Sequence, residues 1–370
     1  MRRVAVLFGG RSAEHEISCI SARSVIDALD PAKNEVIPIG ITRDGRWHLL
    51  PGPPALPSET GRMPEVTDGA GPAAHLSGSN PSRELVLADG TREPIDVVFP
   101  VLHGPFGEDG AIQGMLELAG VPFVGSGVLG SALGMDKAVQ KVVFAAAGLP
   151  VVPHEVVHET EWAEDEDAVS ARVVALGFPV FVKPVTLGSS VGITKVGSLA
   201  ELPTGMEEAF RYARRAVVER GIQPVRELEC AVLGNDDPVA SIAGEVIPRR
   251  HDFYDYSAKY LDEGGADLII PADVPSGVLA EIQRMAVAAF ASIGCAGMAR
   301  VDFFLQDEQL WVNEINTIPG FTSISMYPKL WEASGLPYAD LIDRLLDLAV
   351  ERFEAERAKG TRARELHGEP

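Results

Sequence analysis

Asp302, Glu314 and Asn316 carry the sharpest chemical signal in the chain. Two carboxylates and a carboxamide are hard oxygen donors, suited to Mg2+ or Mn2+ that carries substrate phosphates. They lie in two strand-like runs, 300–306 and 310–316, that read as a tight hairpin. A three-residue loop at 307–309 sets Asp302 opposite Glu314, and side-chain alternation then brings Asn316 onto the same face. A two-residue loop would turn Asp302 to the other face. Phe304 and Val312 make the shared face partly apolar, which fits a nucleotide pocket better than a solvated acidic hairpin. A loop of small residues, 317–325, leaves the far end.

A phosphate ligand would meet an unfavourable background. Lys and Arg number 32 against 53 Asp and Glu, a net charge of −21. That disfavours nucleic acid and anionic membranes as partners. Phosphates must therefore meet locally placed cations, for which Lys137, Lys183, Lys259 and Arg300 are the candidates. Lys183 precedes the loop Gly188, Ser189, Ser190, Val191, whose free backbone N–H groups could nest an anion. Alone, that loop also reads as an ordinary hairpin turn. No GxxxxGK[ST] motif is present, so ATP would be held by other means.

Two motifs are decoys. Residues 125–130 match GxGxxG, but 145–150 lack the ribose-binding acid, and a strand-to-helix turn is the better reading. Residues 154–158 match HExxH, but the surrounding prolines and valines favour extended chain, which keeps the imidazoles too far apart to share zinc. Glu14 sits in the first turn of a helix, where dipole compensation alone would explain it; an alternative is a salt bridge to a substrate ammonium. His103, in a glycine-rich loop, is equally ambiguous alone. Aromatics and Lys259 within 253–260 suggest a lid.

The elements that must position these residues alternate. Residues 3–9 form a strand, a helix follows to about 29, and 36–41 and 95–102 are further strands. The first third is thus an α/β layer with ligands expected at the carboxyl ends of its strands. Residues 51–94 are Pro- and Gly-rich and read as an irregular excursion that could carry a small hairpin; 358–370 read as a polar tail. The expected units are 1–125, 126–225 with the phosphate loop, and 226–358 with the metal site and lid. Three scattered cysteines form no CxxC pair, and no run of about 18 apolar residues suggests a membrane span. A reducing cytoplasm is the natural compartment.

Eight segments occur in the order seen in D-alanine–D-alanine ligases, of the ATP-grasp superfamily: GGRSAEHEIS, HGPFGEDG, GSGVLGSALGMDK, FVKPVTLGSSVG, RELECAVLG, FYDYSAKY, GMARVDFF and NEINTIPGFTSIS. The resemblance covers the chain from Val4 to about Leu348. It implies an α/β, three-domain ATP-grasp fold whose N-terminal domain is a doubly wound parallel sheet. It also implies ligation of two D-alanines at the expense of ATP for peptidoglycan precursors, and a cytoplasmic homodimer.

Carried over by position, Lys137 and Lys183 would bind ATP phosphates under the loop containing Gly188, Ser190 and Val191, Glu219 would face the adenine amino group, and Glu227 the ribose. Asp302, Glu314 and Asn316 would hold two Mg2+ or Mn2+ ions, with a monovalent cation as a further candidate. Glu14, grouped with Ser189 and Tyr260, would hold the first D-alanine near His103. Arg300 and the N–H near Gly320 would serve the oxyanion, Ser325 and Met326 the second carboxylate, and Lys259 the transferred phosphate. Arg220-Gly221 departs from relatives that carry a Lys and an aromatic there, which suggests a thinner adenine wall. The Ala258-Lys259-Tyr260 sequence argues for an amine acceptor rather than D-lactate, with D-serine as a minor one. A non-catalytic ATP-binding module and a dinucleotide oxidoreductase are the rivals from other classes.

Overall fold

The computed structural model describes residues 1–56, 63–76, 83–188, 191–248 and 266–366. The opening apolar run is β1 (Arg2–Gly9), followed by α1 (His15–Ala28), β2 (Asn34–Ile41), β3 (Trp47–Leu49), β4 (Ala74–Leu76), β5 (Glu84–Leu87), β6 (Arg92–Pro94), β7 (Val97–Pro100) and α2 (Ala111–Ala119). The first sheet has the order β3-β2-β1-β7, parallel except for β3. Parallel strands bury both faces, and β1 does so residue by residue. Val4, Val6 and Phe8 join a core with Leu341, Ile342 and Leu345; Ala5 and Leu7 join one with Leu85 and Leu116.

The segment expected to be an irregular excursion is more ordered than that. It carries the antiparallel meander β4-β5-β6, and Leu85 and Val66 are buried core residues. The strands are three or four residues long, too short to show a period. His15 ties the segment down: its Nδ1 donates to the Gly10 carbonyl at 2.7 Å, and its Nε2 accepts the Val66 N–H at 3.0 Å.

Next come α3 (Val128–Met135), α4 (Lys137–Ala146), β8 (His154–His158), α5 (Glu159–Glu164), α6 (Glu166–Leu176), β9 (Val180–Pro184), β10 (Thr194–Val196), α7 (Leu202–Phe210) and β11 (Arg215–Arg220). The strands form an antiparallel sheet, β10-β9-β11-β8. The HExxH segment is strand β8, as its composition suggests, and GxGxxG is the turn into α3. Val180, Val182 and Val218 pack on Leu202 and Met206 of α7; Val217 packs with Ala138 of α4. The face that carries Val217 is therefore turned toward α4, and Lys183 lies on it, paired in register with Val217.

The last third holds β12 (Arg226–Gly234), β13 (Val239–Pro248), β14 (Ala266–Ile269), α8 (Ser276–Ser292), β15 (Gly297–Gln306), β16 (Gln309–Asn316), α9 (Met326–Ala333) and α10 (Tyr338–Leu366). Its sheet has the order β14-β13-β12-β15-β16, with α8 covering one face through Ile282, Met285 and Phe290. Helix α10 continues past Arg357 to Leu366, through residues expected to form a tail.

Gly9 shows how tightly the strand ends are packed. Its φ is +86°, and a Cβ there would lie 2.4 Å from the Ile41 carbonyl oxygen. Gly148 has φ +75° but open space around it. Left-handed backbone costs an L-residue about 1–2 kcal/mol at either site, and overpacking adds about 1–3 kcal/mol at Gly9 alone. Gly9→Ala should therefore lower the Tm clearly more than Gly148→Ala; equal losses in a thermal melt would contradict the close approach.

Candidate active site

The face that carries Asp302, Glu314 and Asn316 is built by an irregularity. The turn joining β15 to β16 has two residues, not three: Gln306 pairs with Gln309 and Asp307 takes a φ of +53°. Continued unbroken, that register would set Asp302 against Asn313 and turn Glu314 into the core. A β-bulge between the Asp302 and Phe303 rungs, with Asn313 as the extra residue, restores the pairing Asp302↔Glu314 and Arg300↔Asn316. The expected juxtaposition thus holds for a different reason. Beyond the bulge Phe304 pairs with Trp311, while Val312 faces the core.

The sheet's open face gathers further groups. Glu229 of β12 pairs with Asp302, and Glu227 with Phe304. Arg300 grips both Asp302 oxygens, Nε to Oδ1 at 2.7 Å and NH2 to Oδ2 at 2.8 Å, and its Nε lies 2.9 Å from Glu229. Asn316 donates to Asp302 at 3.1 Å, and Lys137 lies 3.1 Å from Glu314. Lys137 also donates to the Leu187 carbonyl at 2.8 Å, which joins α4 to the glycine-rich loop.

Behind these lies a buried triad that the sequence reading missed in part. Lys183 and Lys141 each lie 2.7 Å from Glu219. Burial alone would raise the Glu219 pKa, but the two ammonium groups outweigh it and hold the carboxyl down at about 2. Lys183 is pushed up despite its burial, chiefly by Glu219, whereas burial wins at Lys141 and pushes it down. Here Glu219 is engaged by lysines. Gly221 is small because a Cβ there would lie 2.8 Å from the Pro179 carbonyl oxygen, so no aromatic fits. Phe304, Trp311, Ile222 and Val152 form an apolar cluster beside Glu227 instead.

The N-terminal loops meet this site. Glu14 is buried, and its Oε2 would lie 2.9 Å from a Cβ on Gly104 and 3.8 Å from one on Gly188. His103 is buried, 3.2 Å from the Ser21 hydroxyl. Glu108, also missed from sequence, accepts the Gly104 N–H at 2.6 Å, and both Glu108 and His103 lie close to the Ile318 backbone. Ile318 belongs to the loop that follows Asn316, so this contact joins first and last thirds. Further along, the Ser325 hydroxyl pairs with that of Thr322 at 2.8 Å, and Ser325 immediately precedes α9, which begins at Met326; a Cβ on Gly320 would lie 3.2 Å from the Ser325 hydroxyl. Ser189, Ser190, Lys259 and Tyr260 lie outside the described residues.

The donor set suits a hard divalent ion. Mg2+ is usually held by one or two carboxylates, with phosphates and water completing the shell, and Asp302, Glu314 and Asn316 supply that number. Each carboxylate already faces a cation, Arg300 or Lys137, so this face requires positive charge. Among the described residues no group of three or more His, Cys, Asp or Glu is placed to hold a metal ion by itself, so the Asn316 carboxamide and substrate oxygens would have to complete the shell.

Desolvation, reinforced by the Glu14 charge, pushes the Glu108 carboxyl up to about 8. A carboxyl raised in the fold favours the native state below its unfolded value and loses that contribution as pH rises through the folded one. The parent should therefore lose stability between about pH 4.5 and 8 through this group. Glu108→Gln should gain in Tm relative to the parent as pH rises from 5.5 to 8.5; a pH-independent difference would contradict the shift.

Comparison with known proteins shows the family. Residues 3–126 match the family model for the D-ala D-ala ligase N-terminus and 143–347 that for the C-terminus. A D-alanine–D-alanine ligase from Thermoanaerobacter sp. (strain X514) is 50% identical over 355 residues, spanning 95% of this chain and 97% of its own. One from Paenarthrobacter aurescens is 48% identical over 362 residues, 95% of each chain. The solved ligase from Coxiella burnetii superposes with a TM-score of 0.83 at 39% identity, covering 99% of this chain and 100% of that one. A D-Ala:D-Ser ligase from Enterococcus faecalis gives 0.81 at 35% identity, covering 94% and 99%. With both family models matched across the site-bearing segments, the chain belongs to the D-alanine–D-alanine ligase family.

Proposed function

We propose that the protein joins two D-alanines into D-alanyl-D-alanine, with ATP cleaved to ADP and phosphate, for peptidoglycan precursors. The observation that carries this reading is the convergence of the Asp302–Glu314–Asn316 face, the lysines of α4 and β9, and Glu14 at the end of β1.

A carboxylate does not accept an amine, because its oxygen is a poor leaving group. Transfer of the γ-phosphoryl to the first D-alanine makes an acyl phosphate, with ADP leaving. One or two Mg2+ or Mn2+ ions at Asp302, Glu314 and Asn316 would neutralise phosphate charge. Lys137 and Lys183 would add further positive charge to the phosphates. Glu227 and the apolar cluster of Phe304, Trp311 and Ile222 offer a ribose acceptor and a base-stacking wall. Glu14 would hold the first ammonium, near His103; the family resemblance adds Ser189 and Tyr260 to this role. The second amine then attacks the acyl carbon, the tetrahedral oxyanion faces Arg300 and the N–H near Gly320, and phosphate leaves. Ser325 and the Met326 amide take the second carboxylate, and Lys259 and Tyr260 exclude water.

Among the described residues no helix is long and apolar enough to cross a membrane. A reducing cytoplasm suits the three buried, free cysteines, and a homodimer is the assembly the family resemblance implies.

Phosphate release from MgATP tests the reaction, with mass spectrometry of the product and D-serine or D-lactate offered beside D-alanine. D-Alanine-dependent phosphate with a D-alanyl-D-alanine mass is expected, with D-serine a minor acceptor; ATP binding without D-alanine-dependent turnover would sink the reading. Arg300→Ala should lower kcat about 10²–10³-fold, the scale of losing an oxyanion donor, with little change in the KM for ATP. Unchanged turnover would remove Arg300 from that role.

A further inference from the structure

Helix α4 contacts β16 through one face. Lys137 meets Glu314, Gln140 meets Ile315 and Lys141 meets Asn313, positions i, i+3 and i+4 of the helix. The Gln140 carboxamide pairs with Ile315 twice, its Oε1 accepting the N–H at 3.1 Å and its Nε2 donating to the carbonyl at 3.4 Å. Lys141 Nζ donates to the Asn313 carbonyl at 3.1 Å. The Val312 N–H donates to the Pro150 carbonyl at 2.8 Å. Strand β16 is the edge of its sheet, and its outer groups at the bulge are thus met by side chains of another segment.

These contacts fall where the register is decided. A bulged residue leaves ladder partners unmade, and buried backbone groups without partners are costly. Gln140 and Lys141 are 2% and 1% exposed, so neither group has water as an alternative. Burying an ammonium costs several kcal/mol unless its partners compensate. Lys141 has two, Glu219 and the bulged carbonyl.

We propose that Gln140 and Lys141 are positioning residues that fix the bulge at Asn313 and so keep Glu314 on the face of Asp302. The inference rests on the metal role of that face. Lys141 also shares Glu219 with Lys183, so one side chain couples the hairpin register to a phosphate-facing lysine.

The test uses the full-length protein and its Lys141→Met, Gln140→Leu, Gln140→Asn, Lys141→Arg and Glu314→Gln variants. Two quantities are read: the free Mg2+ giving half-maximal rate at saturating ATP, and amide hydrogen exchange at 312–316 without nucleotide. Lys141→Met and Gln140→Leu should each raise the Mg2+ requirement about ten-fold or more, the scale of losing a group that orients a ligand. They should speed exchange at 312–316 and leave the KM for D-alanine unchanged, and Lys141→Arg should recover most of the loss. Gln140→Asn, whose amide falls one methylene short, carries the same expectation if the apolar variants do not fold. Parental Mg2+ requirement and exchange in these variants, beside an impaired Glu314→Gln, would overturn the proposal alone. A raised requirement without faster exchange would also overturn it, because charge rather than register would then be acting. A parental requirement in Glu314→Gln would remove the metal role of the hairpin and the inference together.

Discussion

The register of β15 against β16 decides on which side of the sheet each acidic group emerges. Side chains alternate, so one residue of slip exchanges Glu314 and Ile315 between site and core. The two-residue turn alone would give the wrong exchange, and the bulge at Asn313 corrects it. On the core side, Val301, Phe303, Val312 and Ile315 pack with α8. A slip would therefore bury a carboxylate among apolar groups and expose an isoleucine to the site, both unfavourable. Hydrophobic packing and site geometry thus select the same register.

A second constraint is charge. The chain is strongly acidic, yet the site must receive a polyanion. Its cations are placed against carboxylates one by one: Arg300 on Asp302, Lys137 on Glu314, Lys141 and Lys183 on Glu219. The pairing makes burial of these groups tolerable, and it leaves the lysines ordered before any phosphate arrives. Lys183, held up by Glu219, keeps its positive charge, the sign that phosphate oxygens need.

Much of this was legible in the sequence. The opening strand, the extended HExxH segment, the strand end at Lys183 and the pairing of Asp302 with Glu314 follow from alternation and turn chemistry. The hairpin was right through two compensating errors, a loop one residue too long and an unseen bulge. The bulge left one faint local sign: Asn313 and Glu314 are adjacent and both polar after the apolar Leu310, Trp311 and Val312, which breaks strand alternation. Lys141 did leave a signal: it lies three residues from both Ala138 and Phe144 on the buried stripe of α4, where a lysine needs a partner. Glu229 lies two residues from Glu227 on one strand and so shares its face. Glu108 depends on Ile318, a contact between distant segments that no local pattern encodes. The meander in 74–94 escaped because its strands are too short to show a period.

Anomalous diffraction at the manganese edge, from crystals grown with Mn2+ and ADP, would locate the metal against the hairpin. Manganese peaks are expected within about 2.5 Å of carboxylate oxygens of both Asp302 and Glu314, with Asn313 still bulged. Manganese bound elsewhere, or a hairpin with Asp302 opposite Asn313, would contradict this placement.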